Sequence, residues 1–121
     1  MRDNHLESQK RLEQMLKAIS DIEKYVKGEN AERFCKNRML QDAVMMQFTV
    51  IGEALIHIES DKLNRYNYPW YKVRSFRNMI AHEYFNIRMP AVWKIVEKDL
   101  PTLKLVLHEI LENEFKKKSR H

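Results

Sequence analysis

The sequence has one cysteine, two glycines and three prolines in 121 residues, and each shortage closes off a class of architecture. A single thiol, Cys35, forms no internal disulfide, so no covalent staple of that kind holds the chain together. Little glycine and proline means little turn material for a β-meander, and strand-like alternation is nearly absent. No N-terminal apolar run resembles a signal peptide or a membrane span, so a cytoplasmic protein without a membrane partner is expected.

What is present is charge laid out at helical spacing. Charged residues make up 32% of the chain and alternate with apolar ones every three or four positions, which predicts an all-α protein. The length fits one domain, residues 1–121, with a single modest core. Twenty-two Lys and Arg against 17 Asp and Glu leave a formal net charge of +5, which favours a polyanionic partner through counterion release. Part of that excess sits in Lys116–His121, expected to be a frayed, solvated basic tail.

The apolar spacing divides the chain into four or five helices packed as a bundle. A first helix starting near Asp3 or Asn4 carries Leu12, Met15, Leu16, Ile19, Ile22 and Val26 on one stripe, and Gly28 supplies a left-handed stop. Asn30 would cap a long second helix with Leu40, Ala43, Gln47, Val50, Ile51, Ala54 and Ile58 on one face. Gly52 lies inside it, where glycine costs stability and close approach of a neighbour is the expected reason. Met39, Met45 and Met46 make this helix either the centre of its own bundle or a dimer face. Asn64–Pro69 reads as a loop, and Pro69 suits the first turn of a third helix through Trp70, Val73, Phe76, Met79 and Ile80. Residues 82–89 would end that helix or bend away from it. Pro90 opens a fourth helix with Val92, Trp93, Val96, Leu100, Leu103, Leu107 and Ile110, which Pro101 should kink or split.

Arg77-Asn78-Met79-Ile80-Ala81-His82-Glu83-Tyr84 concentrates a guanidinium, an imidazole and a phenol in eight residues. Arginine is a permanent forked donor for phosphate oxygens, histidine exchanges a proton near neutral pH, and a tyrosine hydroxyl can donate, accept or be modified. Lys72 and Arg74 add positive charge alongside, and Arg74 and Arg77 share a helix face. On a regular helix Arg77 and His82 point about 140° apart. Either the helix ends near His82 and a bend returns the imidazole, or a second copy of the chain completes the site.

Arg77, four intervening residues beginning with Asn78, then His82 and Glu83-Tyr84, resembles the Arg-x4-His-x-Tyr signature of HEPN ribonucleases of the HepT type. Ile51-Gly52-Glu53-Ala54, Pro69-Trp70 with Val73 and Arg74, and Asp99-Leu100-Pro101 extend the resemblance over nearly the whole chain. The resemblance implies an all-α, HEPN-like homodimer that cuts RNA without a metal or other cofactor, with Arg77 and His82 lining a cleft at or near the dimer interface. It also implies a partner, an MntA-like minimal nucleotidyltransferase antitoxin that transfers AMP from ATP onto Tyr84, the two forming a type VII toxin–antitoxin system. Asn78 would orient the motif or bind a phosphate oxygen, and equally well reads as a solvent-facing helix residue.

The remaining candidates have plainer readings. Phe85 is expected to be the packing residue beside Tyr84, and Glu53 a solvated helix carboxylate, with an ion pair to Arg77 as its other option. His57 and Asp61 have a spacing compatible with two metal ligands, but two groups make no site. Trp70 and Trp93 fit packing better than base stacking. Two other functions compete: a non-catalytic HEPN subunit that binds nucleotide or substrate for a nucleotidyltransferase, and a basic helical adaptor that holds RNA without cutting it.

Overall fold

The computed structural model describes residues 2–115; the basic tail at 116–121 lies outside the described residues. The first stripe forms as expected. In α1 (Arg2–Val26), Leu12, Met15, Ile19 and Ile22 are fully buried, with Leu16 and Val26 half-buried on the flanks. The rod stops at Gly28, whose φ of +78° is a conformation that a Cβ disfavours.

Asn30 caps a helix, but a short one, α2 (Ala31–Lys36), through a hydrogen bond of 2.8 Å from the Arg33 amide to its side chain. The long second helix breaks at Asn37, which adopts an extended backbone and caps α3 (Arg38–Ile56) by accepting from the Leu40 amide at 3.0 Å. Buried Gln41 closes the joint by donating to the Phe34 carbonyl at 2.9 Å. Asparagine is unobtrusive in a helical pattern, which is why periodicity alone ran through the break.

The buried face of α3 is also rotated from the expected one. Gln41, Val44, Met45, Phe48, Ile51, Gly52, Ala54 and Leu55 are buried, whereas Leu40, Ala43, Gln47 and Val50 are only half-buried. The cause is that α3 is covered on two sides, by α1 and by α5 (Trp70–Glu83), so its apolar arc is wider than one stripe. By length and mean hydropathy, 1.2 over an 18-residue window, α3 could pass for a membrane span, yet this two-sided packing is that of a core helix.

A short helix, α4 (Ser60–Asn64), precedes the expected loop, and the Trp70 indole donates to the Leu63 carbonyl at 3.0 Å, fixing the start of α5. The last rod comprises α6 (Met89–Lys94), a π-helical turn at Ile95–Asp99, and α7 (Leu100–Glu114). Pro101 explains the widened turn, since its ring cannot sit against a carbonyl four residues back in a regular helix. Four long rods are therefore present as expected, joined by the two short helices α2 and α4. Phe34 and Trp93 stack tilted at 5.2 Å between centroids, confirming Trp93 as a packing residue.

The fully buried ring of Phe34 and the exposed ring of Phe85 give a direct contrast in stability. Phe34→Ala should cost about 3–5 kcal/mol and Phe85→Ala about 0.5 kcal/mol or less. Urea denaturation of the two variants checks both.

Candidate functional site

The helix that carries the motif is the least buried of the long rods: Trp70 is its one buried residue, and among the long rods it packs chiefly on α3. Two polar links fasten it there. At the first, Gly52 of α3 lies against Arg77 so closely that a Cβ built on the glycine would sit 2.3 Å from the Arg77 Cβ and 2.7 Å from its Cγ. This is the close approach expected of an interior glycine. The arginine stem runs over the glycine, and its guanidinium is shared between two acceptors: Nη2 donates to Glu53 and Nη1 to the Asn78 amide oxygen at 2.9 Å. Glu53 is thus ion-paired and not merely solvated, correcting the plainer expectation. The Arg77 Nε is buried with no acceptor among the described residues.

The second link lies at the far end of the helix, where a 3-10 turn (Tyr84–Asn86) follows Glu83. The Tyr84 hydroxyl donates to the carboxylate of Asp42, which also accepts from the Arg38 Nε at 3.1 Å. Burial first, then the hydrogen bond to Asp42, raises the Tyr84 phenol above its ordinary range. The same hydrogen bond, with Arg38 adding to it, lowers Asp42. Tyr84 is half-buried and Phe85 is 86% exposed, so the packing roles of the pair are the reverse of those expected. The tighter 3-10 turn places Tyr84 on the α3 side and turns Phe85 outward, with the Arg38 guanidinium 5.8 Å from its ring centroid.

Because α5 remains helical through His82, no bend returns the imidazole to Arg77 within one chain. Arg77 faces α3, whereas Asn78 and His82, four residues apart on a common face, are exposed. Arg74 is exposed as well. Lys72, about 140° around the helix from Arg77, instead lines a cavity of about 420 Å³ with Phe48, Ile51, Tyr68, Phe76 and Asp99. His57 is exposed and Asp61 pairs with Arg65, and no three candidate metal ligands gather among the described residues. Neither Asp42 nor Arg38 was singled out by sequence; the one available signal was their four-residue spacing, common to many surface ion pairs.

This set of side chains offers a fixed guanidinium with a carboxylate upon it, an exposed imidazole and amide, and a phenol held by a carboxylate. The profile described as "Ribonuclease HepT-like" matches residues 15–110, and the chain belongs to that family. "Probable ribonuclease HepT" of Thermococcus cleftensis is 33% identical over 94 residues, 77% of this chain and 86% of that protein. "Putative RNase MJ1380" of Methanocaldococcus jannaschii is 33% identical over 91 residues, 74% of this chain and 84% of its own length. "Gamma-glutamylcyclotransferase and putative RNase MJ0434" of the same organism is 32% identical over 109 residues, and the chain spans 49% of its length. No solved structure gives a significant match.

The Tyr84–Asp42 bond has a signed consequence. The raised phenol retains its proton to higher pH in the folded chain than in the unfolded one, so its contribution to stability is present below pH of about 10 and fades as pH rises through the folded value. Asp42→Ala removes the main contributor after burial, so an ultraviolet titration should show the Tyr84 phenol ionising at lower pH than in the wild type, still above its ordinary value.

Proposed function

We propose that the chain is a metal-independent endoribonuclease toxin that works as a homodimer in the cytoplasm, its active clefts built from both copies. The observation that carries this reading is the unbroken α5 helix: Arg77 and His82 leave it in directions about 140° apart, an arrangement that a two-fold interface would complete by setting one chain's arginine opposite the other's histidine. The exposed apolar side chains of Met39, Met46, Met79 and Phe85, on or next to α3 and α5, supply surface for such a contact. Met45 is buried, so this helix serves its own core and leaves other methionines free.

Metal-free RNA cleavage requires a group to take the ribose 2′ proton, a donor for the charge that grows on the phosphate, and an acid for the 5′-oxygen. Arg77 binds the phosphate oxygens, His82 transfers a proton, and Asn78 and Arg74 support the bound strand, with Lys72 farther along the helix.

Regulation falls on Tyr84. An MntA-like nucleotidyltransferase would join AMP to the tyrosine oxygen, which attacks the α-phosphorus of ATP as pyrophosphate leaves and the phenolic proton passes to solvent. The pair would be a type VII toxin–antitoxin system. The ester would break the hydrogen bond to Asp42 and place an anion against that carboxylate, with Arg38 as the nearby cation. A second reading, a non-catalytic subunit that binds nucleotide for the nucleotidyltransferase, has in its favour the largely apolar cavity beside Lys72.

Purified, unmodified protein should cleave total RNA in excess chelator, and His82→Ala should not. Dimers mixed from His82→Ala and Arg77→Ala chains should regain up to one working cleft, whereas each variant alone stays inactive. Absence of cleavage by the wild type, together with nucleotide binding at the cavity, would favour the second reading.

A further inference from the structure

The cleavage just described needs two proton transfers at one phosphate, yet each chain's motif has one histidine, and that imidazole lies away from its own Arg77. The group that does lie on Arg77 is the carboxylate of Glu53. Its side chain is 43% exposed, one oxygen engages Nη2, and the other takes no hydrogen bond among the described residues, so it is open to an incoming hydroxyl.

Stability does not account for this arrangement. Glycine inside a helix is less stable than alanine, and a half-exposed ion pair returns little. The buried Arg77 Nε without an acceptor adds a further cost. The geometry makes sense if the guanidinium must be held at one place with a carboxylate beside it. Gly52 sets the place and Glu53 is the carboxylate.

Resting on the nuclease reading above, we propose that Glu53 is the general base of the cleavage. Its carboxylate takes the proton of the ribose 2′-hydroxyl as the 2′-oxygen forms a bond to phosphorus. Arg77 binds the non-bridging oxygens as their charge grows. The bond from phosphorus to the 5′-oxygen breaks, and the leaving oxygen takes a proton from the imidazolium of the partner subunit's His82. The products are a 2′,3′-cyclic phosphate and a 5′-hydroxyl, and exchange with solvent restores the carboxylate and the imidazolium. One guanidinium orients both the base and the phosphate, which fixes the attacking atom relative to its target.

The test compares wild type, Glu53→Gln, Glu53→Asp and His82→Ala in excess chelator on two oligoribonucleotides, one ordinary and one with sulfur in place of the bridging 5′-oxygen. Thiolate leaves without a proton, so the sulfur substrate dispenses with the acid but not the base. Glu53→Gln keeps the side chain's length and an oxygen for Arg77. On the ordinary substrate it should lose roughly 10²–10⁴ in kcat, with little change in KM and no acid-side limb in the pH–rate profile. Glu53→Asp should recover part of the rate and the limb. On the sulfur substrate His82→Ala should regain activity and Glu53→Gln should not. Wild-type kcat in the Gln variant, or its rescue by sulfur, overturns the assignment while the nuclease reading stands; a wild type that cleaves neither substrate overturns both. If the Gln variant does not melt like the wild type, the Asp variant's pH profile decides, an unchanged acid limb at full rate counting against the base.

Discussion

The contact between Gly52 and Arg77 is the constraint on which the rest of the site depends. A bundle of this size holds its long helices by burying apolar stripes, and α1, α3 and α7 do so. In α5 the stripe is thinner: Trp70 is buried, Val73, Phe76 and Ile80 pack half-buried against the core, and the helix is fixed further by the Phe48–Phe76 ring pair at 5.1 Å, the arginine stem over the glycine and the tyrosine bonded to Asp42. Glutamate 53 and aspartate 42 occupy nearly the same face of α3, about three turns apart, and meet Arg77 and Tyr84 in reverse order along α5. The two helices are therefore antiparallel and pinned at both ends of the motif. A Cβ at position 52 would push against the side chain proposed to bind phosphate, so on that reading packing and chemistry share one atom-level limit.

A helix held by polar pins, with its outer face exposed, is expensive as a structural element and well suited as a working surface. Its outer face presents Arg74, Asn78 and His82 to solvent, and its inner face keeps Arg77 fixed. One chain thus offers a guanidinium with a carboxylate on one side and an imidazole on the other, with the Asn78 amide, bonded to Arg77, between them. In the proposed dimer a two-fold operation would set the unlike sides of two chains against each other.

Much of this was legible in the sequence wherever the cause is local. The stop at Gly28, the cap at Asn30, the loop before Pro69 and the helix opening at Pro90 follow from φ limits and lost amide donors, and each appears where the residue types place it. The α1 stripe was legible because its buried residues keep a regular three- and four-residue spacing. The rotated face of α3 was not, because covering by two helices widens the apolar arc in a way that no single period encodes. Asp42 was hidden, and Glu53 was left between two readings, for a related reason. Their partners lie 24 and 42 residues away, and an exposed-looking carboxylate on a helix has the same sequence signature whether or not another helix arrives beside it. The reversal of Tyr84 and Phe85 follows from a change of helical pitch over three residues, too short to leave a periodic trace.

The two pins differ in what can undo them. The Arg77 pin is steric at its base, since the stem passes over Gly52, and a competing anion can take the guanidinium from Glu53 without moving the helix. The Tyr84 pin is a single hydrogen bond from a hydroxyl to a carboxylate, and esterifying that oxygen removes the donor and adds negative charge where Asp42 already supplies it. Substrate binding and covalent control can therefore act on opposite ends of one helix pair. On the proposed reading, phosphate would meet the end whose backbone the glycine contact holds, and a modifying group would meet the end held by one hydrogen bond. Arg38, bonded to Asp42 and lying against the Phe85 ring, is the cation beside that second end. A modified Tyr84 would draw Arg38 from the carboxylate to the new anion, so such a switch would act through an exchange of partners at Arg38 as well as through the bulk of the added group two residues from His82.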